Sequence, residues 1–157
     1  MNANILERSQ LINGSIEEVW DYFSSPENLN DLTPKNMGFK ILSATPIPKM
    51  HEGQIIEYKV SPILGIPLYW KTIIKEVVPY ESFVDVQAKG PYKLWRHTHT
   101  YEVQGDKVLM KDKVEYLLPL GYLGQILNPI YVRARLEEIF DYRYERIEQM
   151  FNKLVLV

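Results

Sequence analysis

Two of the chain's three histidines, His97 and His99, stand in the run Trp95-Arg-His97-Thr-His99-Thr-Tyr101. The period-two alternation is that of a strand, on which both imidazoles project from one face about 7 Å apart. Imidazole gains and loses its proton near neutral pH, so the pair suits proton transfer, metal ligation or hydrogen-bonded recognition. Asp112 and Asp85 are the carboxylates that strand pairing can bring to it. Either one would complete a set of two imidazoles and a carboxylate, as in some metal sites. Alternatively Asp112 orients His99 as a general base, with His97 helping to move protons. In the third reading Asp112 and His99 are a buried polar pair that shapes the interior or touches a ligand. The catalytic candidates are thus His99, His97 and Asp112, and the expectation is that the chain uses neither a metal nor another cofactor.

Other chemistries find no support. The absence of cysteine excludes a thiolate nucleophile, a disulfide framework and a sulfur-based zinc site. There is no Gly-x-Gly-x-x-Gly, phosphate loop, Gly-x-Ser-x-Gly or His-Glu-x-x-His pattern, which argues against nucleotide-dependent and serine-based catalysis. The 18 Lys and Arg against 20 Asp and Glu give a net charge of −2, with no long-range pull toward nucleic acid. No apolar run approaches the ~20 residues that cross a bilayer, and Met1 to Glu7 lack the pattern of a signal sequence. The expectation is a soluble cytoplasmic protein with no nucleic-acid partner and no stable membrane insertion; no oligomeric state is implied.

The elements that must position these residues follow from punctuation and periodicity. With 157 residues, 46% of them hydrophobic, residues 1–157 suffice for one domain with a buried core. Residues 5–12 form a strand closed by Asn13-Gly14, and Ser15 with Glu18 is a capping box that starts a helix with an apolar face of Ile16, Val19, Trp20 and Phe23. Pro26 ends it, and a second short helical segment runs to about Leu32. From 37 to 118, Gly and Pro clusters divide a period-two stretch into six strands. Asn128-Pro129 then caps a helix running to about Leu154, with an apolar stripe of Ile130, Ala134, Ile139, Phe140, Ile147, Met150, Phe151 and Leu154. Short connections make the sheet antiparallel, in strand order 1-7-6-5-4-3-2, and the long helix must cover its apolar face.

Register follows from the turns. A two-residue turn at Gly105-Asp106 sets Val103 opposite Val108, Tyr101 opposite Met110, His99 opposite Asp112, His97 opposite Val114 and Trp95 opposite Tyr116. A three-residue loop at Lys89-Gly90-Pro91 sets Asp85 opposite Trp95 and Phe83 opposite His97. Continued pairing brings Glu76, Ile74, Thr72, Trp70, Tyr58 and Ile56 to the same face. That face carries Tyr58, Trp70, Phe83, Trp95, Tyr101 and Tyr116 together with Asp85, Gln87, His97, His99 and Asp112. Buried ionisable groups persist only when paired, solvated or used, so a wet or ligand-filled cavity is expected there. The apolar loops Pro62–Pro67 and Pro119–Gly124 would be its gate or a fixed lid, and Tyr131, Tyr142 and Tyr144 are expected to keep their hydroxyls at the surface.

The strings Phe83-Val-Asp85-Val-Gln87, Gly90-Pro91-Tyr92, Trp95-Arg-His97-Thr-His99-Thr-Tyr101, Asp112-Lys-Val114-Glu-Tyr116 and Phe140-Asp141-Tyr142-Arg143 resemble the START-like (SRPBCC) helix-grip superfamily, and within it a bacterial polyketide cyclase/dehydrase-like, ligand-binding branch, some of whose members carry a cell-division-inhibitor label. The resemblance covers essentially the whole chain. It implies an α+β fold with a seven-stranded curved antiparallel sheet around a long C-terminal helix, two short helices after strand 1, and a cavity between sheet and helix. The inward-facing set read from the register makes the expected ligand small and largely hydrophobic, aromatic or lipid-like, held by Tyr58, Trp70, Phe83, Asp85, Gln87, Trp95, Tyr101 and Tyr116. Carriers and cofactor-free cyclases, dehydratases or hydrolases share the fold, so both functions stay open.

Overall fold

The structure is a computed structural model that describes residues 3–62, 64–119 and 129–153. Strand β1 (Asn4–Asn13) leads into helix α1 (Ile16–Phe23). The capping box is formed: the Glu18 amide donates to Ser15 Oγ at 3.2 Å and the Ser15 amide donates to Glu18 Oε2 at 2.9 Å. Val19 and Phe23 are buried beneath α1. The second short helical segment, expected to reach about Leu32, is a 3-10 helix at Pro26–Asn30, and a further 3-10 turn, Lys35–Met37, follows it.

Six strands follow: β2 (Lys40–Ile41), β3 (Ile55–Val60), β4 (Leu68–Val78), β5 (Ser82–Lys89), β6 (Leu94–Gln104) and β7 (Lys107–Leu117). With β1 they make one seven-stranded antiparallel sheet in the expected order, β1-β7-β6-β5-β4-β3-β2. Gly105 takes the positive φ of 65° that a tight hairpin needs, and the β6–β7 pairs are those the two-residue turn implies, from Val103 with Val108 to Trp95 with Tyr116.

The β5–β6 register differs from the expectation by two residues. Asp85 pairs with His97 and Phe83 with His99, not with Trp95 and His97. The cause is a side chain. Gln87 Nε2 donates to the Tyr92 carbonyl at 2.7 Å and the Tyr92 amide donates to Gln87 Oε1 at 3.2 Å. The connection is thereby closed by a side chain acting as backbone, and the ladder begins only at Val86 with Arg96. A β-carbon at Gly90 would collide with that amide, so a residue without a side chain stands there. A shift of two keeps each residue on its face, and the inward set survives.

On β4 a bulge between Ile74 and Glu76 flips the face for the rest of the strand. Glu76, expected to point inward, is therefore exposed and meets Arg96 Nη2 at 3.1 Å, whereas Val77 packs beside Phe83.

Helix α2 (Pro129–Ile147) lies over the sheet and continues as a π-helical turn, Glu148–Asn152. Its end is tied to β1: the Asn13 amide donates to Asn152 Oδ1 at 2.8 Å, and Gln10 Nε2 donates to the Tyr144 carbonyl at 3.0 Å. The inward stripe is Val132, Leu136, Phe140, Arg143 and Ile147, with Ile139 and Phe151 half-buried. Ile130, Ala134 and Met150 are exposed, contrary to the expected stripe. Spacings of four, four, three and four residues make a regular helical face, and only the arginine within it hides it from an apolar count. Asn128, Leu154 and most of the Pro119–Gly124 loop lie outside the described residues. Among the described residues no helix is long and apolar enough to cross a membrane.

Two apolar clusters fill the space between sheet and helix. One gathers Leu6, Met37, Val60, Trp70, Tyr92, Val114, Tyr116, Val132, Leu136 and Phe140; the other gathers Ile12, Val19, Phe23, Leu32, Phe83, Tyr101, Val108, Met110 and Ile147. Along β6 the chain passes from Trp95 beside the first cluster to Tyr101 in the second, and between them stand His97 and His99. Asp112 holds the same middle position on β7, and Arg143 holds it on α2 between Phe140 and Ile147. Register thus places one charged layer between two apolar ones.

Candidate functional site

That layer is a closed network of five side chains. Asp112 Oδ1 lies 2.9 Å from His97 Nε2 and 3.0 Å from His99 Nδ1. The His97 contact has hydrogen-bond geometry; His99 Nδ1 is close enough for charge attraction but forms no aligned bond. His99 Nε2 is hydrogen-bonded to Asp85 Oδ2 at 2.8 Å, and His97 Nδ1 lies 3.7 Å from the same oxygen. Arg143 Nε approaches Asp112 Oδ2 to 3.7 Å. The two imidazole rings lie 3.7 Å apart between centroids, and His99 also stacks on Phe83 at 4.1 Å. Asp112, His97 and Arg143 are only 3%, 7% and 8% exposed.

Burial disfavours every charge in this layer, so each ionisation is set by its partners. Asp112 resists burial because Arg143, and then the two imidazoles, hold its carboxyl well below the usual carboxylate range. Burial also pushes Asp85 upward, but the hydrogen bond from His99 and the charges of His97, His99 and Arg143 outweigh it and leave it lowered. His97 moves down, through burial and then repulsion by His99, which Asp112 and Asp85 only partly offset. For His99 burial acts downward too, yet Asp112 and Asp85 together raise it. Arg143 and the imidazoles thus favour the charged carboxylates, and the carboxylates in turn favour a proton on His99 over one on His97. Desolvation pushes Tyr58, Tyr92 and Tyr101 up, so all three remain neutral phenols.

A pH dependence follows. Because His99 is raised in the folded state, its stabilisation is complete below the ordinary imidazole value of 6.5 and is lost as pH rises through the folded value. His97, lowered, acts only below 6.5, where the unfolded chain takes a proton that the folded one refuses. The carboxylates act only in acid: their contributions hold above 3.8 and are lost as pH falls through their lowered values. Urea unfolding should therefore show stability declining above pH 6.5 in the wild type, and His99→Gln should remove that decline.

Next to the charged layer, between β3, β4, β6 and α2, lies a cavity of about 150 Å³. Tyr58, Trp70, Tyr92 and Trp95 form its aromatic wall, and Leu136 and Phe140 come from the helix. Trp70 and Trp95 meet edge to face at 5.2 Å, and Tyr58 stacks on Trp70 at 5.9 Å. His97 and Arg143 are the charged-layer members that line it.

Of the residues singled out from sequence, Tyr58, Trp70, Trp95 and His97 line this cavity. Phe83 and Tyr101 pack with Trp20 and Phe23 in the second apolar cluster, and Tyr116 packs edge to face on Tyr92 at 5.8 Å. Gln87 closes the β5–β6 connection, while Asp85, His99 and Asp112 stand in the charged layer behind His97. Arg143, Tyr92, Leu136 and the helix-side wall were missed. The signal for Arg143 was its place three residues after Phe140 and four before Ile147, within the inward stripe. Of the two loops proposed as gates, Pro62 reaches the cavity lining.

Asp85, His97 and His99 offer ligand atoms within 4.8 Å of one another, a set able to hold a divalent cation. In the arrangement described, Asp85 and His99 are hydrogen-bonded to each other and His97 to Asp112, so a cation would have to displace those bonds.

No family model matches the sequence, and no curated protein matches it either. Solved structures do. The chain is similar to the Zhui aromatase/cyclase from Streptomyces sp. R1128, with 12% identity, 92% of this chain and 91% of that one covered, and a TM-score of 0.69. It is also similar to a START superfamily protein from Mycobacterium smegmatis, with 13% identity, coverage of 93% and 98% and a TM-score of 0.63. Major latex-like protein 151 from Panax ginseng gives 14% identity, coverage of 92% and 97% and a TM-score of 0.63. At such identities the likeness speaks for architecture, and sheet order, two short elements after β1 and the covering helix agree with it: the chain has the START-like helix-grip fold.

Proposed function

We propose that the protein binds a small, largely apolar or aromatic molecule in the cavity between the sheet and helix α2, as a carrier or sensor. One observation carries the reading: an aromatic-walled space of about 150 Å³ opens beside a charged layer that contributes only His97 and Arg143 to its lining. Apolar concavities with a few placed polar groups are the usual form of small-molecule sites. A dry cavity of about this volume is known to take a benzene-sized guest, and ligand pockets generally start near 300 Å³, so a single ring fits without rearrangement. That structural neighbours include an aromatase/cyclase is in keeping with a ring-shaped ligand.

Toluene is the direct probe. At ten times its dissociation constant it should raise unfolding stability by about 1.4 kcal/mol, and by about as much again for each further tenfold in concentration. The absence of any stabilisation that grows with the logarithm of toluene concentration would remove the basis for the proposal.

A second reading rests on His97. Its neutral imidazole lines the cavity and is held by Asp112, the geometry of an oriented general base, whereas His99 is shielded behind it. In a cofactor-free cyclase or dehydratase, His97→Gln would abolish turnover of a ligand that still binds. In a carrier it would change affinity alone.

A further inference from the structure

Arg143 carries five N–H donors, yet it forms no hydrogen bond among the described residues. Its Nε is buried without a partner, 3.7 Å from an Asp112 oxygen, and its guanidinium lies 5.5 Å from the Phe23 ring centre. Trp70 Nε1 is likewise buried without an acceptor. Both residues line the cavity. Tyr101 Oη and His99 Nδ1 complete the set of buried unpartnered side-chain atoms among the described residues, and an atom that can only accept is not among them. One oxygen of each carboxylate is already bonded to an imidazole. Two of the unpartnered donors belong to residues of the cavity lining, Trp70 and Arg143, and one of them is a cation.

Resting on the binding role proposed above, we propose that the ligand is a small aromatic acid whose carboxylate docks against Arg143, with the Trp70 indole N–H as a further donor. A guanidinium is the side chain best matched to a carboxylate, since its planar fork can give two parallel bonds. Asp85 on β5 and Asp112 on β7 do not line the cavity, and each has one carboxylate oxygen bonded to an imidazole, so of the charged layer only His97 and Arg143 meet a ligand there. An apolar cavity without an available cation would reject a carboxylate outright because of its desolvation.

The test compares benzoate with toluene by calorimetric titration of the same protein. Benzoate should bind the wild type at least about tenfold more tightly, as a charge-assisted bond contributes roughly that much or more. Trp70→Phe keeps an aromatic ring and removes the N–H, and Arg143→Lys keeps the charge and removes the fork. Each should reduce the benzoate-to-toluene affinity ratio by about tenfold, with near-ultraviolet circular dichroism confirming the fold. Toluene binding with benzoate excluded would overturn the acid while leaving the binding role intact. Failure of both probes would overturn both, and a ratio unmoved by either variant would remove Arg143 and Trp70 from recognition.

Discussion

Asp112→Ala is expected to destabilise the protein by about 3–5 kcal/mol in urea unfolding, because it leaves buried cations without their counter-charge. The Asp112 carboxylate stands 2.9 and 3.0 Å from two imidazoles and 3.7 Å from Arg143, in a layer that water hardly reaches. The contrast is Lys111 with Glu102, an ion pair of 3.0 Å between half-exposed side chains on the outer face. Lys111→Ala should cost no more than about 1 kcal/mol, since solvent screens an exposed pair and the entropy of holding it is similar to the gain. Combining Asp112→Leu with Arg143→Met should cost less than the sum of the single changes, because the second removes the charge that the first leaves stranded. A loss at Asp112 no larger than at Lys111 would mean that the charged layer does not hold the two apolar clusters together.

The second large effect is on binding. Leu136 faces the aromatic wall from α2, so Leu136→Trp should fill the cavity and weaken toluene binding by more than about a hundredfold. Overpacking costs roughly 1–3 kcal/mol, which a domain of ordinary stability survives, and circular dichroism would confirm that it has. Trp95→Ala acts in the opposite sense: it removes one wall, loosens the hold on a single ring and admits a larger one such as naphthalene. Equal toluene affinity in wild type and Leu136→Trp would place the binding site elsewhere.

Much of this architecture was legible because short-range chemistry fixes it. Gly105-Asp106 sets the β6–β7 register through backbone conformation alone, and so brought His99 opposite Asp112. The capping box and the Gly and Pro punctuation acted equally locally. What stayed hidden depends on contacts between distant residues. The β5–β6 slip rests on Gln87 substituting for backbone at Tyr92, and it exchanges the expected Asp85–Trp95 neighbours for Asp85 and His97. That exchange turns a cross-strand pair into a four-residue network of two carboxylates and two imidazoles. Arg143 is not legible in the sequence because a charged residue on a helix ordinarily faces water; here it sits beside the buried Asp112 carboxylate. Position along the strands, not residue type, decides which aromatics border space and which fill it. Tyr58, Trp70 and Trp95 lie on one side of the charged layer, next to the cavity, whereas Phe83 and Tyr101 lie on the other, sealed by α1.

The three tryptophans make the most direct test possible in one spectrum. Trp70 and Trp95 line the cavity, while Trp20 sits on α1 against Tyr80, Phe83 and Tyr101, outside it. In a 1H–15N titration with toluene, the indole N–H signals of Trp70 and Trp95 should move together along one saturable curve and that of Trp20 should stay in place. Movement of Trp20 alone, or no saturable shift at any of the three, would contradict a ligand cavity between the sheet and the helix.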